Sequence, residues 1–286
     1  MKKTILIKFG LIFLLLCPVR NAMAQSDTLN SQRYVMRAVM YGVGGTRVLD
    51  TYLSPLEYKG IEVRVNRELM RMTRLFDGNV SLQNYFQTYV SYSKNRSETS
   101  SEFTGMVNWS IGLHYQIRIN DHLKLLAGGL GELNGGFIYN LRNSNNPASA
   151  KAYADIAASA MAIYHFKIKR YPMILRYQIN LPVMGVMFSP DHMESYYEIF
   201  SLGNHQNIIK FTSLHNNPSF RQMLTLDFPV GYAKLRAGYI WDMQQSNVNG
   251  LKTHIYSHVF MIGVVKTLYR IKDKNSVALP ASVRAY

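Results

Sequence analysis

The chain has 286 residues, a formal net charge of +15, a single cysteine, 48% hydrophobic residues and 12% aromatic residues. A lone cysteine excludes an internal disulfide framework, and the apolar content is ample for a packed core. The basic residues form no compact cluster interleaved with aromatics on a helix, which argues against nucleic acid as the partner.

The first 24 residues read as a secretion signal. Lys2, Lys3 and Lys8 make a basic start, an apolar stretch runs from Ile5 to Leu16, and Ala22-Met23-Ala24 supplies a small-x-small cleavage pattern. Bulky Leu16 before Cys17 argues against lipidation of that cysteine, so the expected cut leaves Gln25 first. Cleavage there removes four positive charges and leaves +11. Residues 25–32 then form a short periplasmic segment ahead of a barrel expected over 33–269, with a basic periplasmic tail over 270–286.

Strand-like alternation runs through the rest. The predicted strands are 33–42, 58–68, 79–93, 102–119, 122–139, 152–167, 173–187, 195–202, 207–214, 220–228, 233–244 and 254–269. In 58–68, Ile61, Val63 and Val65 alternate with Glu62, Arg64, Asn66 and Glu68. The longest alternation is Glu102–Arg118: Phe103, Val107, Trp109, Ile111, Leu113 and Tyr115 share one face, and Thr104, Asn108, Ser110, His114, Gln116 and Arg118 the other. An ordinary soluble strand is about 5–6 residues long, so this one suits a tilted strand crossing a bilayer. Residues 152–163 are alanine-rich and locally helical in propensity, but their alternating neighbours favour a strand whose small side chains ease a constriction inside the barrel. Leu175, Tyr177, Ile179 and Leu181 oppose Arg176, Gln178 and Asn180, and Leu235, Ala237, Tyr239 and Trp241 oppose Lys234, Arg236 and Asp242.

No mature segment approaches the roughly 20 apolar residues of a membrane helix. The expectation is therefore an all-β, single outer-membrane β-barrel, with 12 antiparallel strands and ten as the main competing count. A secreted β-sandwich also alternates, but strands this long with aromatics near their ends fit it poorly. Asn120-Asp121, Arg170-Tyr171-Pro172 and Val230-Gly231 mark tight inner turns, and 43–57, 94–101, 140–151, 187–194 and 245–252 are the expected outer segments.

Two groups of residues are candidates for function. Tyr41–Gly60 contains Gly42, Gly44, Gly45 and Pro55 and reads as a structured outer loop; it lacks the lysine of a phosphate loop. Glu62, Arg64, Glu68, His114, Arg118, Arg176, Lys234, Arg236 and Asp242 form the expected lumen network, which either braces the wall or contacts a ligand. Arg64, Arg176 and Arg236 have the fork geometry for a carboxylate or phosphate if they converge. Catalysis has little to build on: Ser257-His258 are neighbours that face opposite sides, and Ser110 and His114 lie roughly 13 Å apart along one strand. Asp191, His192, Glu194, His205 and His215 lack a closed metal-ligand spacing. No catalytic residue, cofactor or metal is expected.

The segment YGVGGTRVLDTYLSPLEYKG, the later FTSLHNNPSF and the overall hydrophobic pattern resemble an uncharacterised family of outer-membrane β-barrel proteins from Bacteroides-like bacteria, a domain of unknown function. The resemblance covers nearly all of the mature chain. It implies a Gram-negative outer membrane and a single barrel domain and carries over no site residues; the basic charge suits contact with lipids including lipopolysaccharide, and Gly263, Leu268 and Tyr269 resemble the signal read by the outer-membrane assembly machinery. The expected role is a noncatalytic scaffold or accessory subunit of an envelope complex. The alternative is a narrow porin-like or ligand-translocating barrel, and a lipid-modifying hydrolase follows behind.

Overall fold

The side chains of residues 61–68 show how the wall is made. Ile61 and Val63 are 67% and 52% exposed, whereas Glu62 and Arg64, which alternate with them, are fully buried. One strand thus presents an apolar face to the membrane and a charged face to the lumen, as period-two alternation requires. In the computed structural model, which describes residues 34–269 apart from 145, 192, 193, 205 and 232, this inversion repeats around the molecule.

The strands are β1 (Tyr34–Asp50), β2 (Ser54–Met72), β3 (Val80–Asn95), β4 (Ser101–Arg118), β5 (Leu123–Asn140), β6 (Ala148–Ile168) and β7 (Tyr171–Phe188), then β8 (Ile209–Ser213), β9 (Phe220–Val230), β10 (Ala233–Val248) and β11 (Leu251–Tyr269). Each pairs antiparallel with its neighbours, and β1 pairs with β11 from Tyr34↔Tyr269 to Asp50↔Thr253, which closes the sheet. Closure satisfies every edge, the condition for a sheet to stand in lipid.

Among the described residues the wall has ten strands, not twelve. β8 pairs with β7 over Met184–Phe188, and β9 pairs with the same strand over Ile174–Asn180. β8 and β9 run in the same direction and together make one wall strand, interrupted at 214–219. Residues 195–202, expected as a strand, instead carry a one-turn helix, α1 (Tyr196–Phe200). Ser195 caps it, with its side chain accepting from the Glu198 amide while Glu198 accepts from the Ser195 amide. This local hydrogen bonding outcompetes the weak alternation of YYEIF. Both changes remove one strand each, and the even count keeps the two ends of the wall on one side.

The Tyr41–Gly60 segment is also strand rather than outer loop. β1 and β2 continue to a tight connection at 51–53, and Pro55 is the second residue of β2. Gly42 and Gly44 face the β1–β11 seam, where a Cβ on Gly44 would run into the carbonyl oxygen of His258. Gly45 faces outward, with nothing nearer than 4.0 Å to such an atom. The connection at Asn249-Gly250 has positive φ at both residues, 54° and 74°, as a two-residue hairpin with right-handed strand twist demands.

The alanines of β6 mostly face outward. Its lumen positions are Asp155, Ala157, Ser159, Met161 and Ile163, all buried, so the small side chains thin the outer wall and do not widen the lumen. Connections at 119–122, 169–170 and Gly231 share the end where the wall begins and closes, here the terminal end. The 189–208 connection lies at the opposite, loop end.

Candidate functional site: a layered lumen

The lumen is filled in layers. At the terminal end Met36, Met70, Met72, Leu126, Met161, Ile163, Ile174 and Val265 form a buried apolar cluster inside the barrel. Methionine's flexible thioether suits such an irregular gap. Above it lies a first charged layer. Arg176 donates to both oxygens of Glu68, at 2.6 and 2.8 Å, and Arg236 Nη1 donates to Glu68 Oε2 at 2.7 Å. Arg236 also makes a two-pronged contact with Asp227, at 2.7 and 3.1 Å. Gln83 Nε2 donates to Glu68 Oε1 at 2.6 Å.

A second apolar layer follows, with Met40, Tyr85, Met223, Ile240, Val259 and Met261. The second charged layer sits above it. Arg64 donates to Glu62 at 2.6 Å and to Asp242 at 2.8 Å, while its guanidinium lies 4.3 Å from the centre of the Tyr89 ring. Ser257 donates to the other Glu62 oxygen at 2.5 Å. Arg221 is shared between Asp242 at 3.3 Å and Glu132 at 3.6 Å. Arg64, Arg176 and Arg236 are fully buried. Such charges are tolerable inside because each guanidinium has a carboxylate and hydrogen-bond acceptors in place.

Glu62, Arg64, Glu68, Arg176, Arg236 and Asp242 therefore face the lumen and make contact there. The three arginines do not converge on one point: Arg176 and Arg236 share Glu68, and Arg64 belongs to the upper layer. Arg118 is exposed at the terminal end of β4 and stands outside the network. Lys234 is half-buried on the lumen side, near the terminal end of β10. His114 is fully buried, its Nε2 2.9 Å from Ser159 Oγ, while Ser159 donates to Asn180. Among the described residues His114 Nδ1 has no hydrogen-bond partner, so none of them is an acid orienting the ring as nucleophilic catalysis requires. His258 lies on the outer face against Tyr239 and Trp241, away from Ser257.

Sequence reasoning missed Arg221, Asp227, Glu132 and Asp155. Parity alone carries the signal: Arg221, Met223, Thr225 and Asp227 lie on one face of β9, and Glu132 shares a face with Asn134 on β5. Among the former metal candidates, His192 and His205 lie outside the described residues. Glu194 instead accepts from Asn204 and from the Asp191 amide.

At the loop end the lumen opens into a cleft lined by Met106, Tyr153, Phe188, Phe220 and Met243. Tyr196 of α1 accepts from the Ala150 amide at 2.6 Å and stacks on Phe188, and Tyr52 donates to the Glu194 carbonyl. These contacts fasten the 189–208 connection to the rim.

A closed antiparallel barrel with an apolar outer face and a charged interior is an outer-membrane barrel, and its place is the Gram-negative outer membrane. The match of a family model over residues 9–275 shows that the chain belongs to DUF3316, a family described as protein of unknown function. No curated protein matches the chain. Among solved structures, the transport unit of the autotransporter AIDA-I from Escherichia coli aligns with TM-score 0.50 and 9% identity, covering 90% of this chain and 94% of that one. The translocator domain of NalP from Neisseria meningitidis aligns with TM-score 0.41 and 12% identity, covering 85% and 90%. The outer-membrane protease OmpT from Escherichia coli aligns with TM-score 0.41 and 9% identity, covering 83% and 98%.

Proposed function

We propose that this protein is a noncatalytic outer-membrane barrel, closed to bulk flow, that serves as a scaffold or accessory subunit of an envelope complex. The observation that carries this reading is the terminal-end apolar cluster, from Met36 to Val265, lying inside the barrel beneath two cross-braced charged layers. Packed apolar side chains there oppose the passage of hydrated solute, and in this reading the work falls to the outer surface, the loop end and the tail. Contact with lipopolysaccharide and insertion by the assembly machinery belong to the same reading, as does an origin in Bacteroides-like bacteria.

A narrow porin-like or ligand-translocating barrel is the second reading. The loop-end cleft favours it, and so does the likeness to an autotransporter's transport unit, a relationship of fold. Planar-bilayer recordings separate the two. The scaffold reading expects silent membranes from correctly folded protein, and steady, solute-selective conductance would replace it with the channel. Copurification from native membranes tests the partner; persistent isolation as a lone monomer counts against a subunit role.

A further inference from the structure

The geometry points to the loop-end cleft as a binding site for an organic cation with an apolar body, such as a primary amine carried on a hydrocarbon or aromatic group. The floor of the cleft has too many carboxylates for its cations. Asp155 is 95% buried by its 5% exposure, lines the cleft, and makes no hydrogen bond or ion pair among the described residues. It stands directly across from Glu132 in the β5–β6 register. Among the described residues Glu132 in turn reaches only Arg221, at 3.6 Å, and its Oε1 has no hydrogen-bond partner.

The charge count around the floor makes the preference for a cation specific. Glu62, Asp242, Glu132 and Asp155 face two guanidiniums, Arg64 and Arg221, and Arg64 is already committed to Glu62 and Asp242. Lys151, the other cation on the cleft wall, is held by Asp50 at 2.7 Å. In formal charge two carboxyls are left over, Glu132 and Asp155. Space is kept for the Asp155 carboxylate: its β7 partner is Gly185, and a Cβ there would collide with Asp155 Oδ1.

The walls above this floor are apolar and pliable. Met106, Met187, Phe188, Phe220 and Met243 line the cleft. Thioethers and aromatic faces accept a hydrocarbon body and also favour a nearby cation. A few charged groups at the base of an apolar cleft is the usual pattern for a small-molecule site. A hydrated metal ion fits these walls poorly, and no group of three or more metal-ligating side chains occurs among the described residues.

The test uses the full chain, folded in a non-ionic detergent and checked by its heat-modifiable mobility on gels. Calorimetric titration with 2-phenylethylammonium is expected to show binding, with 2-phenylethanol and 3-phenylpropionate at least tenfold weaker. Asp155→Asn and Glu132→Gln are each expected to weaken the amine at least tenfold, and Glu57→Gln on the exposed rim to leave it unchanged. If one lumen variant fails to fold, the other carries the test. No amine binding by the folded protein, equal binding of the alcohol, or unchanged affinity in the folded lumen variants would overturn the assignment. Calcium titrated alone is expected not to bind; calcium binding lost in Asp155→Asn would put a metal in place of the organic cation and overturn it equally.

Discussion

Glu68 and Arg176 meet across the full width of the barrel. β2 and β7 are five strands apart in a ring of ten, so they stand opposite each other, and the pair is joined by two hydrogen bonds of 2.6 and 2.8 Å. Arg236 adds a third strand to the same carboxylate. Removing Glu68 takes that carboxylate from Arg176 and leaves Arg236 with Asp227, a loss of about 3–5 kcal/mol for a broken buried pair. Glu68→Gln is therefore expected to lower the urea midpoint of the folded barrel sharply. The double variant Glu68→Met/Arg176→Met, which removes both charges of the diametric pair, should recover part of the loss. A double variant less stable than Glu68→Gln would show that the brace is not acting as a coupled pair.

The β1–β11 seam predicts opposite fates for two adjacent glycines. Gly44→Ala places a methyl against the His258 carbonyl, where closure of the wall depends on backbone approach, whereas Gly45→Ala projects into open space. Expression of the two variants, followed by the heat-modifiable gel shift, should show the first accumulating unclosed and the second indistinguishable from wild type. Equal closure of both would mean that the seam yields easily at this point.

Period-two alternation made the sides of the wall legible. Glu62, Arg64 and Glu68 are read inward from their spacing alone, because a single residue's shift would place charge in lipid. The strand count was not legible, since it turns on 195–220. There a capping box formed by Ser195 and Glu198 overrides a short alternating run, and two segments stack end to end on one neighbour. Local propensity does not encode such sharing of a partner. The glycines of 42–45 misled for a related reason: in a barrel seam, glycine signals close backbone approach as readily as a loop. Nor does alternation say which lumen charges pair. Arg118 and Arg176 look equivalent in sequence, yet one ends its strand at the exposed rim and the other lies at mid-wall.

The chain's two tryptophans report the depth of the wall. Trp109 and Trp241 each lie near the middle of their strands, on the face opposite the lumen charges of β4 and β10. Trp109 is 43% exposed and hydrogen-bonds Asn84 on the neighbouring strand. In bilayers of lipid brominated at mid-chain, both fluorophores should be strongly quenched, more so than with bromine near the headgroup. Single Trp→Phe variants assign the contributions. Quenching by aqueous iodide in place of bromolipid would reverse the face assignment of that strand.

The loop-end cap predicts a pH response confined to the 189–208 connection. Hydrogen bonds from the Ser195 backbone amide and hydroxyl hold the Glu198 carboxyl below the usual carboxylate range. A carboxyl with its folded value below its unfolded one stabilises fully above the unfolded value, and loses that contribution as pH falls through the folded one. Amide hydrogen exchange of residues 194–204 should thus show extra opening, beyond the intrinsic pH dependence of exchange, only on the acidic side of that range. Glu198→Gln should abolish the pH response while raising exchange at neutral pH, because the amide acceptor is weaker than a carboxylate. Ser195→Ala removes the reciprocal bond, should weaken the helix end by about 1 kcal/mol, and, because the hydroxyl also donates to Glu198, should reduce the pH response as well. The lumen layers, far from this cap, should keep their protection throughout. Acid-induced exchange spreading equally into β2 and β7 would mean that the pH response belongs to the ion pairs of the lumen instead.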